Sequence, residues 1–288
     1  MQNKKDLTKT RILWTTLAWI GGLALIFIIW TILSATVYKD TNKLPDIGKC
    51  FVTFGQTLSE PNAWAAIGIA WGQTLACFIG SFLLAISLVL LSRYWKFVSY
   101  IMMPFVTLAR AFPTQVLMML IVVFLVTVKP LVPITVAFFI IFPMAYEGIN
   151  NAVNNVNKNN IEMMNVFHVS KWEQFKSMYV PSTLPYIFSA MVAAFGLTFK
   201  ITIASQFLQF VSPDMDPSPG YQSIGAFLGV AWNKGLYDVI IAWGMIAIMI
   251  SLVMELIIKE IGRLCMPSKY NDRKIISNIF KHKVKEHA

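Results

Sequence analysis

Charge is scarce in this sequence. Of its 288 residues, 13% are Asp, Glu, Lys or Arg, about half the share usual in soluble domains. A soluble domain of this length covers its surface with charge, so that class is excluded. Disorder is excluded as well, because 57% of the residues are hydrophobic. Cysteine is also rare. Cys50, Cys77 and Cys265 form no CxxC pair and no disulfide framework, and they read as apolar fillers. No G-x-x-x-x-G-K-[ST] phosphate loop occurs, so the chain supplies no ATPase site of its own. HExxH and G-x-G-x-x-G are absent, and no nucleophile–base arrangement stands out. Of the three histidines, His282 and His287 lie in the last seven residues and read as solvated. An enzyme reading finds little support.

Long apolar runs are what the sequence does have. A span needs about 20 mostly apolar residues to cross about 30 Å of hydrocarbon. Stretches between charges give six candidates, at about 13–36, 65–91, 107–128, 131–149, 183–206 and 238–258. They lack the alternation of an outer-membrane barrel. The first is longer than the about 7–15 residues of a signal-peptide core and reads as a retained helix. The expected fold is an all-α polytopic membrane protein of about six transmembrane helices.

The net charge of +10 then becomes a question of placement. With the N-terminus inside, seventeen of the 24 basic residues fall on inner segments and five on outer ones. That bias sets both termini in the cytoplasm. The expected layout is an N-terminal tail and first helix over 1–36 and an external loop over 37–64. A core over 65–261 holds five helices and a cytoplasmic loop over 150–182, and a basic cytoplasmic tail fills 262–288. The tail suits anionic lipid headgroups; nucleic acid is not an expected partner.

The loop at 150–182 is patterned. Asn159 or Asn160 is placed to cap a short helix, with Glu162 in its first turn. Ile161, Met164 and Phe167 fall on one helical face. Ser170-Lys171-Trp172-Glu173 reads as a capping box, and Trp172, Phe175 and Tyr179 give a second apolar face. Pro181 and Pro185 are expected to end that helix before the fifth span. Two short helices meeting at an angle either pack on their own bundle or dock a cytoplasmic partner.

These residues carry a resemblance. Glu162-Met-Met-x3-His168-x9-Met178-x-Val180-Pro181 resembles the E-A-A-x3-G-x9-I-x-L-P coupling motif of binding-protein-dependent ABC importer permeases. Glu162 and Pro181 are identical to it. Met163, Met164, His168, Met178 and Val180 depart from it. Leu108–Pro113, then Ser170-Lys171-Trp172 with Phe175 and Pro181–Ile187, then Gly220–Ile224 followed by Asp238, are similar to segments of the nitrate/sulfonate/taurine branch. The resemblance covers about residues 45–263.

It implies a type I ABC importer permease of the bacterial plasma (inner) membrane. A second permease copy, commonly identical, would complete the pathway. Cytoplasmic ABC ATPase subunits would bind inside, and ATP and Mg²⁺ would sit on them, so no cofactor is expected in this chain. An extracytoplasmic substrate-binding protein would dock outside. The coupling residues implied are Glu162, Met163, Met164, His168, Val169, Ser170, Trp172 and Pro181. Glu162 would orient the two helices, and the residues around His168, Val169 and Ser170 would touch the ATPase. His168 at the family's glycine suits a positive φ, which His adopts more readily than most side chains.

Ionisable groups in spans are functional candidates, because charge in lipid is costly. Arg110 and Lys200 are the two, Arg110 also reading as a snorkelling residue at the inner interface. Lys200 either pairs with Glu147 or Glu255 or lines the pathway, where it would suit an anionic or zwitterionic solute. Gln206 occupies a place where the branch often shows an acid. Gly68-x3-Gly72 and Gly225-x3-Gly229 permit close helix approach, the second marking a re-entrant helix as the resemblance suggests. The turn-rich segment from Asp214 to Gly220 is external and a candidate face for a substrate-binding protein. The rival readings are an ion-gradient-driven secondary transporter, which predicts inverted repeats and buried acids, and a membrane-bound enzyme or assembly factor. The solute, anionic or organic, is not written in these residues.

Overall fold

A computed structural model describes residues 2–38, 43–125, 127–210 and 221–265, and every regular element among them is helical. The basic tail beyond 265 and the segment from Asp214 to Gly220 lie outside the described residues. The elements are α1 (Gln2–Thr36), α2 (Ile47–Ser59), α3 (Pro61–Tyr94), α4 (Lys96–Ala111), α5 (Thr114–Phe124) and α6 (Leu131–Asn154). They continue with α7 (Lys158–Val166), α8 (Lys171–Gln174), a π-helical turn (Phe175–Tyr179), α9 (Val180–Leu208), α10 (Ile224–Asn233) and α11 (Tyr237–Cys265).

Five helices are long and apolar enough to cross a bilayer: α1, α3, α6, the run through α8 and α9, and α11. A sixth crossing is counted only if α4 and α5 are taken together, and they meet at 98°. The third span expected at 107–128 is therefore not one straight helix. Its break has a local cause. Pro113 pushes the residue before it into extended backbone, and Phe112 takes φ −73° and ψ 131°. The helix stops there and restarts at Thr114 in a new direction.

The core forms where α3, α6 and α9 run side by side. Val132, Val136, Ile141 and Ala85 are fully buried there, and Phe78 meets Phe195 edge-on at 5.1 Å. A second cluster joins α3, α9, α10 and α11 through Ala66, Ala70, Phe199, Ile224 and Trp243. The alanines of α3 let its neighbours approach closely, as in membrane bundles. Arg93 at the end of α3 donates to Asn154 at the end of α6 (2.7 Å) and ties the two helices at the end that carries residues 155–179.

Residues 37–64 were expected to be loop, yet they contain α2. Asp46 caps it by accepting from the Gly48 amide at 3.0 Å. Lys49 and Thr53 reach Asp238 in the first turn of α11 at 3.1 and 3.4 Å. Cys50 and Cys77 are buried, and burial pushes the Cys50 thiol up. Both behave as the apolar fillers expected.

Proline placement also differs from expectation. Pro181 sits in the first turn of α9 and Pro185 inside it, and the helix runs through both. The preceding π-helical turn widens the backbone where the rings need room. The Thr183 hydroxyl donates to the Tyr179 carbonyl at 2.8 Å, one turn back along the same helix.

Candidate functional site

The loop at 155–179 builds a defined corner. Asn157, not Asn159 or Asn160, caps α7, accepting from the Asn159 amide at 3.0 Å. Glu162 therefore lies beyond the first turn, on an exposed face. Among the described residues it has no salt bridge. At the other end of α7, His168 takes φ 52°. Its amide donates to the Asn165 carbonyl and the Val169 amide to the Met164 carbonyl, both at 3.0 Å. That pair of bonds is a Schellman stop, with His168 at the left-handed position usually given to glycine. The accompanying apolar contact is present too, since Met164 and Val169 share a small core with Val156 and Met178.

Ser170 then starts α8. Its Oγ accepts from the Glu173 amide at 3.3 Å, which is the serine half of the expected capping box. Gln174, which the sequence reading passed over, holds the corner shut. It is 8% exposed, and its Nε2 donates to Asn165 Oδ1 at 2.8 Å and to the Val169 carbonyl at 2.9 Å. Ile161, Met164 and Phe167 do not share one fate. Met164 is buried, whereas Phe167 is exposed. Met163 is half-buried, and Pro181 lies behind the corner at the start of α9.

What the corner presents outward is apolar and aromatic. Trp172 is 73% exposed and stacks on Phe175 with ring centroids 5.8 Å apart. Val166 and Phe167 stand beside the turn, also exposed. Exposed apolar side chains gathered on a loop that already has its own core are the kind of surface that marks an interaction site.

The intramembrane candidates separate. Arg110 ends α4 and forms an ion pair with Glu147 of α6. Glu255 faces Lys259 at 3.8 Å and sits against Gly196, where a Cβ would lie 2.7 Å from its Oε1. Neither acid therefore pairs with Lys200, contrary to one of the two expectations for it. Lys200 is exposed on α9, on a stripe with Ala193, Leu197 and Ala204. A cleft of about 340 Å³ lies between α6 and α9 and is lined by Glu147, Gly148, Asn151, Ala190, Ala193 and Ala194 among others. Lys200 stands two turns, about 10 Å, along α9 from Ala193.

Gln206 is fully buried. It donates to Gln73 Oε1 at 2.6 Å and accepts from the Gly225 amide at 3.1 Å. It joins α9 to α3 and α10 instead of facing the open stripe. Gly225 and Gly229 bear out close approach: Cβ atoms there would fall 2.2 Å from Gln206 Cβ and 2.5 Å from Phe210 Cβ. Gly68 and Gly72 meet nothing within 4 Å and face away from the bundle, so their expected packing within the chain is not found.

A family model described as binding-protein-dependent transport system inner membrane component matches residues 78–261. Among solved structures, two reported as inward-facing conformations of the MetNI methionine ABC transporter share the fold. One, from the CY5 SeMet soak crystal form, aligns with a TM-score of 0.55 at 15% identity, and the other, from the CY5 native form, with 0.54 at 14%. Each alignment covers 72% of this chain and 98% of the other. No curated protein sequence matches the chain.

Proposed function

The chain belongs to the family of binding-protein-dependent transport system inner membrane components, and on that premise we propose that it is the pathway-forming subunit of an ABC importer whose corner at 157–174 couples it to separate ATPase subunits. The observation that carries the reading is that corner: a Schellman stop at His168, a lock by Gln174, and the exposed Trp172–Phe175 stack. A rigid, apolar projection from a membrane bundle transmits motion, because it keeps its shape when a partner pushes on it. In this reading the 155–179 end is cytoplasmic, a second copy of the chain completes the pathway, and a substrate-binding protein meets the opposite end. ATP and Mg²⁺ belong to the partner.

Glu162→Lys tests the coupling. In vesicles reconstituted with the ATPase and binding protein, substrate-stimulated ATP hydrolysis is expected to vanish while membrane insertion stays normal. Hydrolysis that still responds to substrate sinks the reading.

The stripe of α9 favours a negatively charged or zwitterionic solute. Lys200 is exposed eight residues before the end of α9, inside the span and without a salt bridge among the described residues, and a cation there seeks an anion in surroundings of low dielectric. Family membership favours an ABC importer over an ion-gradient-driven transporter, which predicts inverted repeats and buried acids, whereas the sequence shows no repeat and few acids in its spans.

A further inference from the structure

At the end of the bundle opposite the coupling corner, four segments meet on one side chain. Gln73 of α3 is 7% exposed. Its Nε2 donates to the Pro130 carbonyl at 2.9 Å, just before α6, and to the Tyr221 hydroxyl at 3.1 Å, just before α10. Its Oε1 accepts from Gln206 Nε2 of α9, and Gln206 Oε1 accepts from the Gly225 amide in the first turn of α10. The two side-chain amides thus use both donor and acceptor atoms, in a chain that runs from the α5–α6 turn through α3 and α9 into α10. Further out, Phe210 stacks on Tyr221 with centroids 6.2 Å apart, and Asn233 donates to the Phe210 carbonyl at 3.2 Å.

We propose that Gln73 is the positioning residue of this end: it fastens α10 and the turn before α6 onto α9, so that α10 travels with the pathway helix instead of swinging from it as a lid. Two physical arguments support this. Separating α10 from α9 would strand the buried side-chain carbonyl of Gln206 and the buried Gly225 amide in apolar surroundings, where unpaired polar groups are costly. Gly225 and Gly229 also bring the two backbones together without slack, and close-packed contacts have few intermediate states. Describing α9 as the pathway helix rests on the function proposed above; the fastening itself does not.

Hydrogen exchange of the full chain in lipid nanodiscs tests it, first alone and then in complex with its ATPase. Alone, residues 221–229 are expected to be protected. Gln73→Leu, of similar size but without any polar atom, removes all three bonds and is expected to speed exchange of 221–229 and 127–133 at least about tenfold, which is the worth of a single lost buried hydrogen bond. Tyr221→Phe breaks a single link and is expected to leave the Gly225 amide protected. In the complex, the protection of 221–229 is expected to be the same without nucleotide and trapped with ATP and vanadate. Unchanged exchange in Gln73→Leu overturns the proposal, since a space-filling role predicts that result. Loss of protection on ATP trapping also overturns it, since α10 would then be a lid. If Gln73→Leu does not accumulate in the membrane, Gln206→Met breaks the same chain one link further on and is read in the same way. Failure to assemble with an ATPase counts against the proposed function, whereas the measurements on the chain alone still decide the fastening.

Discussion

At the scale of single residues, His168 is the sharpest case. Its φ of 52° costs a side chain with a Cβ about 1–2 kcal/mol that glycine does not bear. His168→Gly is therefore expected to stabilise the corner by about 1 kcal/mol, after the extra freedom of glycine in the unfolded chain is counted. His168→Val is expected to destabilise it by more than that, because β-branched residues avoid this region. Exchange protection of the Val169 amide, which closes the stop on Met164, reads both changes. Ser170→Ala removes the hydroxyl that caps α8 and is expected to cost about 1 kcal/mol by the same measurement. The positive φ was foreseeable, because the family places glycine here and His tolerates the conformation. Gln174 was not foreseeable, because nothing in its neighbours announces that its amide turns inward to bridge Asn165 and Val169.

At the scale of elements, hydropathy found what hydropathy sees. The spans expected at 65–91, 131–149, 183–206 and 238–258 lie inside α3, α6, α9 and α11, because each is a long apolar run holding at most two charges. Direction is invisible to such a reading, so the 98° corner between α4 and α5 was missed although Pro113 stood in plain view. The helix α2 was missed for the opposite reason: at 13 residues it is too short to register as a span. Its signals were Asp46 ahead of it and the spacing of Cys50, Phe54 and Leu58 on one face. Glycine pairs looked alike in sequence and differ in the fold. Gly225→Ala would set a Cβ 2.3 Å from the Phe207 backbone nitrogen, and is expected to cost about 3 kcal/mol as severe overpacking. Gly68→Ala meets nothing and is expected to leave stability unchanged or slightly raised, since helical Ala is favoured over Gly. Thermal unfolding of the two variants in detergent, side by side, checks the contrast.

At the scale of the whole molecule, the proposed function divides the exposed apolar surface of the long helices between lipid and a second copy of the chain, and gives that of the corner to the ATPase. Trp172→Ala removes the larger ring of the exposed stack and is expected to weaken association with the ATPase at least about tenfold, as loss of a central aromatic anchor does. Pull-down of the ATPase by the variant measures it. The proposed orientation makes a separate forecast. A cysteine at Trp172 is expected to react with a membrane-impermeant thiol reagent only after cells are opened, and one at Ser59 before. The π-helical turn at Phe175–Tyr179 has one more consequence at this scale. It holds one residue more than an α turn does, because its bonds span five residues instead of four. The turn is thus a splice: it takes up a surplus residue while the helix on either side keeps nearly the bearing that an ordinary α turn would give it. Deleting Lys176 is therefore expected to close the turn in ordinary α geometry and leave the corner within about 20° of its present bearing, so that association with the ATPase survives the loss of a whole residue; pull-down of the ATPase by the deletion variant measures it.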